Sequence, residues 1–280
     1  MLAPESHHEP RAARFPEPGV PVITGVNWRG LKTLYLKEVR RFFKVQLQTV
    51  WAPAITTLMF LAIFTLALGP VKPDVLGVPY SAFLAPGLII MGMVQNSFQN
   101  SMSSLLIAKM QGTIVDVLMP PLSHGEVLAS YIAGAVTRAW LVGIAIWIAM
   151  LLWPGVHVGM NNPLMVLLFG TMGALLLALI GVVAGIWADK FDHGAAVSNF
   201  VIQPLTLLSG TFYAIETLPP GVQTLSRFNP FFYMIDGFRA GFIGTAEARP
   251  LLGLAIVGGL SVLLWALAYA LLKSGWKLRA

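Results

Sequence analysis

Cysteine is absent from the 280 residues, and charged residues make up only 11% of them. The first absence excludes a disulfide framework and a thiolate metal site. The second excludes an ordinary soluble domain, in which about a quarter of the residues are charged. Neither a G-x-x-x-x-G-K-[ST] phosphate loop nor an H-E-x-x-H zinc site occurs, so the chain carries no motif for hydrolysing nucleotide. His124, His157 and His193 fall on separate loops without ligand spacing. What remains is 56% hydrophobic, with a mean hydropathy of +0.75, the composition of a polytopic membrane protein. The net charge of +6 does not point to nucleic acid, because the basic residues stand beside hydrophobic runs and not on a separable domain.

Residues 1 to 27 hold five prolines, adjacent histidines and little apolar periodicity, so a flexible cytoplasmic tail without a cleavable signal is expected, followed by one membrane domain over 28–280. From Trp28 to Leu47 apolar residues recur at helical spacing with Arg29, Lys32, Arg40, Arg41 and Lys44 beside them, which predicts a basic amphipathic helix lying on lipid headgroups or against a partner protein. Roughly 20 apolar residues cross a bilayer. On that measure spans are expected at about Val50–Gly69, Val75–Ala108, Val127–Trp153, Pro163–Ala188, Gly194–Tyr213 and Leu251–Leu272. Cytoplasmic loops carry the excess of Lys and Arg. Placing Arg29 to Lys44, Lys109, Lys190, Lys273, Lys277 and Arg279 inside leaves Lys72, Arg227, Arg239 and Arg249 outside, so both termini are expected in the cytoplasm.

The stretch Gln203–Gly244 is too apolar for a solvated loop and too broken by Pro204, Pro219, Pro220 and Pro230 for one helix, which predicts short helices dipping back into the outer leaflet. Within it Tyr233, Asp236 and Arg239 share one face at three-residue spacing and form a candidate outer gate, or two charges wetted at the headgroups. The second span is polar toward its inner end. Gln95, Gln99 and Ser103 share a face, with Asn96, Asn100 and Ser104 beside it, a pattern that lines a cavity or bonds helices together. Arg138 stands well inside the third span, where a cation costs roughly 2.5–3.5 kcal/mol and needs water or partners. Between these spans, Thr113 and Asp116 suggest a capped short helix ended by Pro120.

Three segments, LKTLYLKEVRRFFK at 31–44, QGTIVDVLMPPLSHGEVLASYIAGAVTR at 111–138 and SGTFYAIETLPPGVQTLSRFNPFFYMIDGFR at 209–239, resemble the transmembrane subunit of ABC-2 type ATP-binding-cassette transporters. The resemblance implies an all-α membrane protein with six transmembrane helices, the amphipathic helix at the interface and re-entrant outer helices between spans five and six. It implies a dimer in the bacterial inner membrane, a homodimer by expectation, paired with two cytoplasmic ATPase subunits, exporting a drug, lipid or glycan-like molecule. ATP and magnesium belong to the partner, and no cofactor is expected on this chain. The segment with Gly112, Thr113, Val115, Asp116, Pro120 and Ser123 corresponds to the helix that docks on the ATPase. A membrane-embedded enzyme would need catalytic groups clustered at one depth; a passive channel or scaffold would work without an ATPase.

Overall fold

The computed structural model describes residues 25–68, 71, 74–153 and 159–278. The expected tail lies outside them apart from Gly25, Val26 and Asn27. The described chain is almost wholly helical; a two-stranded antiparallel pair, β1 (Asp74–Val75) and β2 (Val78–Pro79), is its sole sheet. The helices are α1 (Trp28–Phe43), α2 (Ala52–Leu68), α3 (Tyr80–Met110), α4 (Ile114–Leu118), α5 (His124–Leu151), α6 (Pro163–Trp187), α7 (Phe191–Val197), α8 (Gln203–Leu207), α9 (Pro220–Phe228), α10 (Pro230–Ile243) and α11 (Pro250–Ser274).

Proline sets many of the boundaries. Pro163, Pro220, Pro230 and Pro250 each open a helix, at the position where a missing amide leaves no bond unmade. Two more explain the wide turns. A π-helical turn, Leu47–Trp51, runs into α2 just before Pro53, and another, Ser198–Ile202, runs into α8 just before Pro204. In each the next amide reaches back five residues, Ala52 to the Leu47 carbonyl and Gln203 to that of Ser198. Proline cannot donate to the fourth carbonyl back and clashes with it, and the wider turn accommodates both.

Among the described residues, five helices are long and apolar enough to cross a membrane: Leu47–Ala67, Tyr80–Met110, His124–Leu151, Pro163–Trp187 and Pro250–Ser274. The expected span at Gly194–Tyr213 is shorter. Its helical course comprises α7, the π turn and α8, of seven, five and five residues, and stops at Leu207. Neighbouring side chains take up its last carbonyls: Asn229 Nδ2 donates to Leu205 O at 2.7 Å and Ser226 Oγ to Leu208 O at 3.1 Å. Gly210 then turns the chain at φ +73°.

The α3 helix is the hub, packed by α6, α5, α10 and α2. Gly181 and Gly185 of α6 let the two backbones close up. A Cβ at either would lie 2.5 Å from the Phe98 carbonyl oxygen or 2.9 Å from that of Met102, so the small-x-x-x-small spacing has a packing cause. The α2 and α11 helices lie at the periphery with most of their apolar surface uncovered. One end of the bundle holds α1, α4 and the start of α5. The other holds the β pair, α9 and α10.

Candidate functional site

At the centre is a polar cluster joining α1, α3 and α5. Leu34, Glu38 and Phe42 are the buried residues of α1, one helical turn apart, so a carboxylate occupies the middle of the apolar stripe. Glu38 is fully buried. Its Oε2 accepts from Ser104 Oγ at 2.7 Å and from Arg41 Nε at 3.2 Å, and Lys37 Nζ lies 3.6 Å from Oε1. Arg41 turns its Nη2 onto Asn100, to the carbonyl oxygen and to Oδ1, both at 2.9 Å. Arg138 reaches the same Oδ1 through Nη1 at 3.4 Å and Asn96 Oδ1 through Nη2 at 2.8 Å. Two charge-assisted bonds of about 1.5–3 kcal/mol each offset the insertion cost of the cation.

The two uses open to the polar side of α3 are divided between its residues. Asn96, Asn100 and Ser104 are buried and bond α1 and α5. Gln95 and Ser103 are half-buried, and Gln99 is exposed on the most buried of the long helices. Gln95 and Asn96 also line a cavity of about 270 Å³ with Gln48, Thr56, Thr57 and Phe60 of the π turn and α2.

The α4 segment is built differently from expectation. Thr113 adopts helical dihedrals and makes no cap with its side chain; its hydroxyl reaches Ala108 O at 3.4 Å. No Thr113–Asp116 capping box forms, because Thr113 itself takes helical dihedrals directly after Gly112, which turns the chain at φ +70°. The capping box lies ten residues on. Ser123 Oγ accepts the Glu126 amide at 3.2 Å, and Glu126 Oε2 accepts the Ser123 amide at 2.6 Å. Glu126 Oε1 also takes the Asn27 amide at 2.6 Å, and Asn27 Nδ2 donates to Pro121 O, so the starts of α1 and α5 and the loop from Pro120 are tied together. Ile114 and Val117 are buried, whereas Val115, Asp116, Leu118 and Met119 face outward. Beside α4, Lys277 Nζ donates to Asp189 Oδ2 at 2.7 Å, which holds that carboxyl below the usual range.

At the far end Asp236 and Arg239 are buried at 2% and 1% exposure, which rules out charges wetted at headgroups. Among the described residues they form no ion pair with each other. Asp236 accepts the Glu247 and Ala248 amides at 3.0 and 2.9 Å, and Arg239 pairs with Glu247 at 3.5 Å. Arg239 also donates to Gly210 O and stacks over Phe83, 3.9 Å from the ring centroid. Gly87 makes room, since a Cβ there would lie 2.8 Å from Thr211 O and 3.4 Å from Arg239 Nη2. Tyr233 does not join them; its hydroxyl donates to Arg227 O. Glu247 completes the cluster. Its Oε2 takes the Ile215 amide at 2.7 Å, and burial pushes its carboxyl up, with Arg239 opposing.

Sequence reasoning missed Glu38 and Glu247. The signal for Glu38 was present as a lone carboxylate in register with Leu34 and Phe42. Glu247 had none, because its partners come from two other segments, α10 and the turn at Ile215 and Glu216.

These features define a multi-pass helical membrane protein that buries Glu38, Arg138, Asp236 and Arg239 within its bundle. The profile of the ABC-2 type transporter family matches residues 29–243, and the chain belongs to that family. It is 34% identical over 253 residues to the inner membrane transport permease YadH of Escherichia coli K12, covering 90% of this chain and 98% of the relative. It is 25% identical over 235 residues to nodulation protein J of Rhizobium leguminosarum bv. viciae, covering 83% and 88%.

Proposed function

We propose that this chain is the transmembrane subunit of an ATP-driven exporter, working as a dimer with a separate cytoplasmic ATPase in two copies. The observation that carries the reading is α4. It presents Val115, Leu118 and Met119 at 52%, 37% and 77% exposure on a segment outside the five apolar helices, beside Asp116. Apolar side chains on a short helix in water call for a protein cover. The segment is fixed to both α3 and α5, so a push on it moves the polar cluster between them. ATP and magnesium act on the partner, since this chain has no phosphate loop.

Both termini lie in the cytoplasm on this reading, and the helix from Phe191 to Leu207 makes a sixth crossing. At 1.5 Å per residue it extends about 25 Å, short but within the range that a locally thinned bilayer accepts. The α9–α10 pair then dips into the outer leaflet, with Asp236, Arg239 and Glu247 holding the outer gate. The permease name of the Escherichia coli relative supports an inner-membrane site. The cargo is a drug, lipid or glycan-like molecule passing along the face of Gln95 and Gln99 at the seam between copies, with Asn96, Asn100 and Arg138 buried behind it. Affinity purification from the native membrane tests the assembly. Co-isolation of a phosphate-loop ATPase at one copy per permease is expected, and a permease that is isolated alone and intact contradicts it.

A further inference from the structure

Around Arg138 the polar cluster is short of negative charge and of acceptors, although Glu38 Oε1, on the α1 side, accepts no hydrogen bond. Lys37 and Arg41 pair with the carboxylate of Glu38, and among the described residues Arg138 enters no ion pair. Arg138 is 7% exposed and its Nε has no partner; Asn100 is fully buried and its Nδ2 has none; Gln95 Nε2, next to Asn96, has none either. All three are donors. Two guanidinium groups meanwhile share one neutral oxygen, Asn100 Oδ1, at 2.9 and 3.4 Å.

Water would satisfy the orphaned donors, but it would leave Arg138 without a counter-charge in a low-dielectric interior, where a buried unpaired charge costs several kcal/mol. An oxyanion answers both deficits. A planar guanidinium fork is also the side chain best matched to phosphate or carboxylate oxygens.

We propose that the Arg41–Asn100–Arg138 cluster binds an anionic oxygen-bearing group, a phosphate or a carboxylate. Access runs along the face where Gln99 is exposed and Arg41, 28% exposed at its side chain, touches Ser103 at 3.4 Å. One helical turn from Gln99, Gln95 lines the cavity described above together with Asn96, the partner of Arg138. The group comes either from the headgroup of a membrane phospholipid or from a soluble or transported anion. The site stands on side-chain geometry, and only its use by cargo rests on the exporter reading.

The test needs no ATPase, so its failure is separable from failure of that reading. Thermal unfolding of the purified chain is followed in neutral phosphatidylcholine nanodiscs, with phosphatidylglycerol, dodecyl phosphate or inorganic phosphate added. An anionic probe near 100 times its Kd is expected to raise the midpoint by about 5 °C. Arg41→Gln and Arg138→Gln should lose that rise, and Arg227→Gln, at the exposed end of α9, should keep it. Asn100→Asp turns an orphaned donor into an acceptor between the two arginines. It should match or exceed wild-type stability in neutral lipid and no longer respond to anions, an outcome that does not depend on whether Arg138→Gln folds. A rise with phosphatidylglycerol alone assigns the group to a lipid headgroup; a rise with dodecyl or inorganic phosphate as well assigns it to a soluble or cargo-borne anion. No rise in the wild type with any probe, or an equal rise in Arg41→Gln and Asn100→Asp, overturns the proposal.

Discussion

Ser104 Oγ of α3 donates to Glu38 Oε2 of α1 at 2.7 Å, with both residues buried, so a helix expected to rest on headgroups is pinned through its one buried carboxylate to the hub of the bundle. The same oxygen holds Arg41, which in turn holds Asn100. Movement of α1 is thereby carried to the polar face of α3.

Replacing Glu38 by Leu should accordingly cost more than the loss of one surface pair. Removing one partner of a buried pair costs about 3–5 kcal/mol, and the partial exposure of Arg41 puts this case at the low end. Glu38→Gln keeps an acceptor for Ser104 and should recover part of the loss. Thermal unfolding in nanodiscs gives both values, and wild-type stability in Glu38→Leu would mean that Arg41 finds water instead.

Topology is accessible because the native chain has no cysteine to interfere. Single cysteines at Asp192 and Glu216, both exposed, bracket the helix from Phe191 to Leu207. If that helix crosses the membrane, an impermeant thiol reagent applied from the periplasm labels Glu216→Cys and not Asp192→Cys. Labelling of both from one side would leave five crossings.

At the outer end, Gly87→Ala should force α3 away from Thr211, because the new methyl has backbone, not a flexible side chain, in its way. A loss of about 1–3 kcal/mol is expected, the usual cost of overpacking. Glu247 adds a dependence on pH. Its folded carboxyl holds a proton more tightly than an unfolded one, so its contribution to stability is full below the usual glutamate range and is lost as pH rises through the raised value. Glu247→Gln should flatten that part of the stability profile measured by thermal unfolding between acid and neutral pH.

The five long helices were legible because each is a long apolar run, uncharged over about twenty residues in four of them and interrupted by Arg138 in α5, and length separates such a run from a core helix. The shortened sixth helix was not, since its end is set by Asn229 and Ser226, side chains from beyond the turn. Thr113 and Asp116 matched the spacing of a capping box, but spacing does not fix the dihedral of the cap, and the residues that do form one are Ser123 and Glu126. Asp236 and Arg239 were read as a pair from their three-residue separation. Each instead found a better-placed partner in the loop before α11, which periodicity within one helix cannot reveal. Val115 lies at the second position of α4, where proline is tolerated; the amide that matters is that of Met119, bonded to the Val115 carbonyl at 2.8 Å.

That bond and the exposed side chains around it allow the exporter account to be tested at its point of energy input. In nanodiscs holding the permease and its co-isolated ATPase, the measurement is the rate of ATP hydrolysis and the amount of ATPase retained. Met119→Pro should break the last turn of α4, and the pair Val115→Asp with Leu118→Asp should place charge on its apolar surface. Both should lower retention and coupled hydrolysis at least tenfold, equivalent to about 1.4 kcal/mol of docking energy, while membrane insertion and dimer formation are unchanged. Retention and hydrolysis at wild-type levels in both variants would contradict docking at α4, and with it the route by which this chain is proposed to receive the energy of ATP.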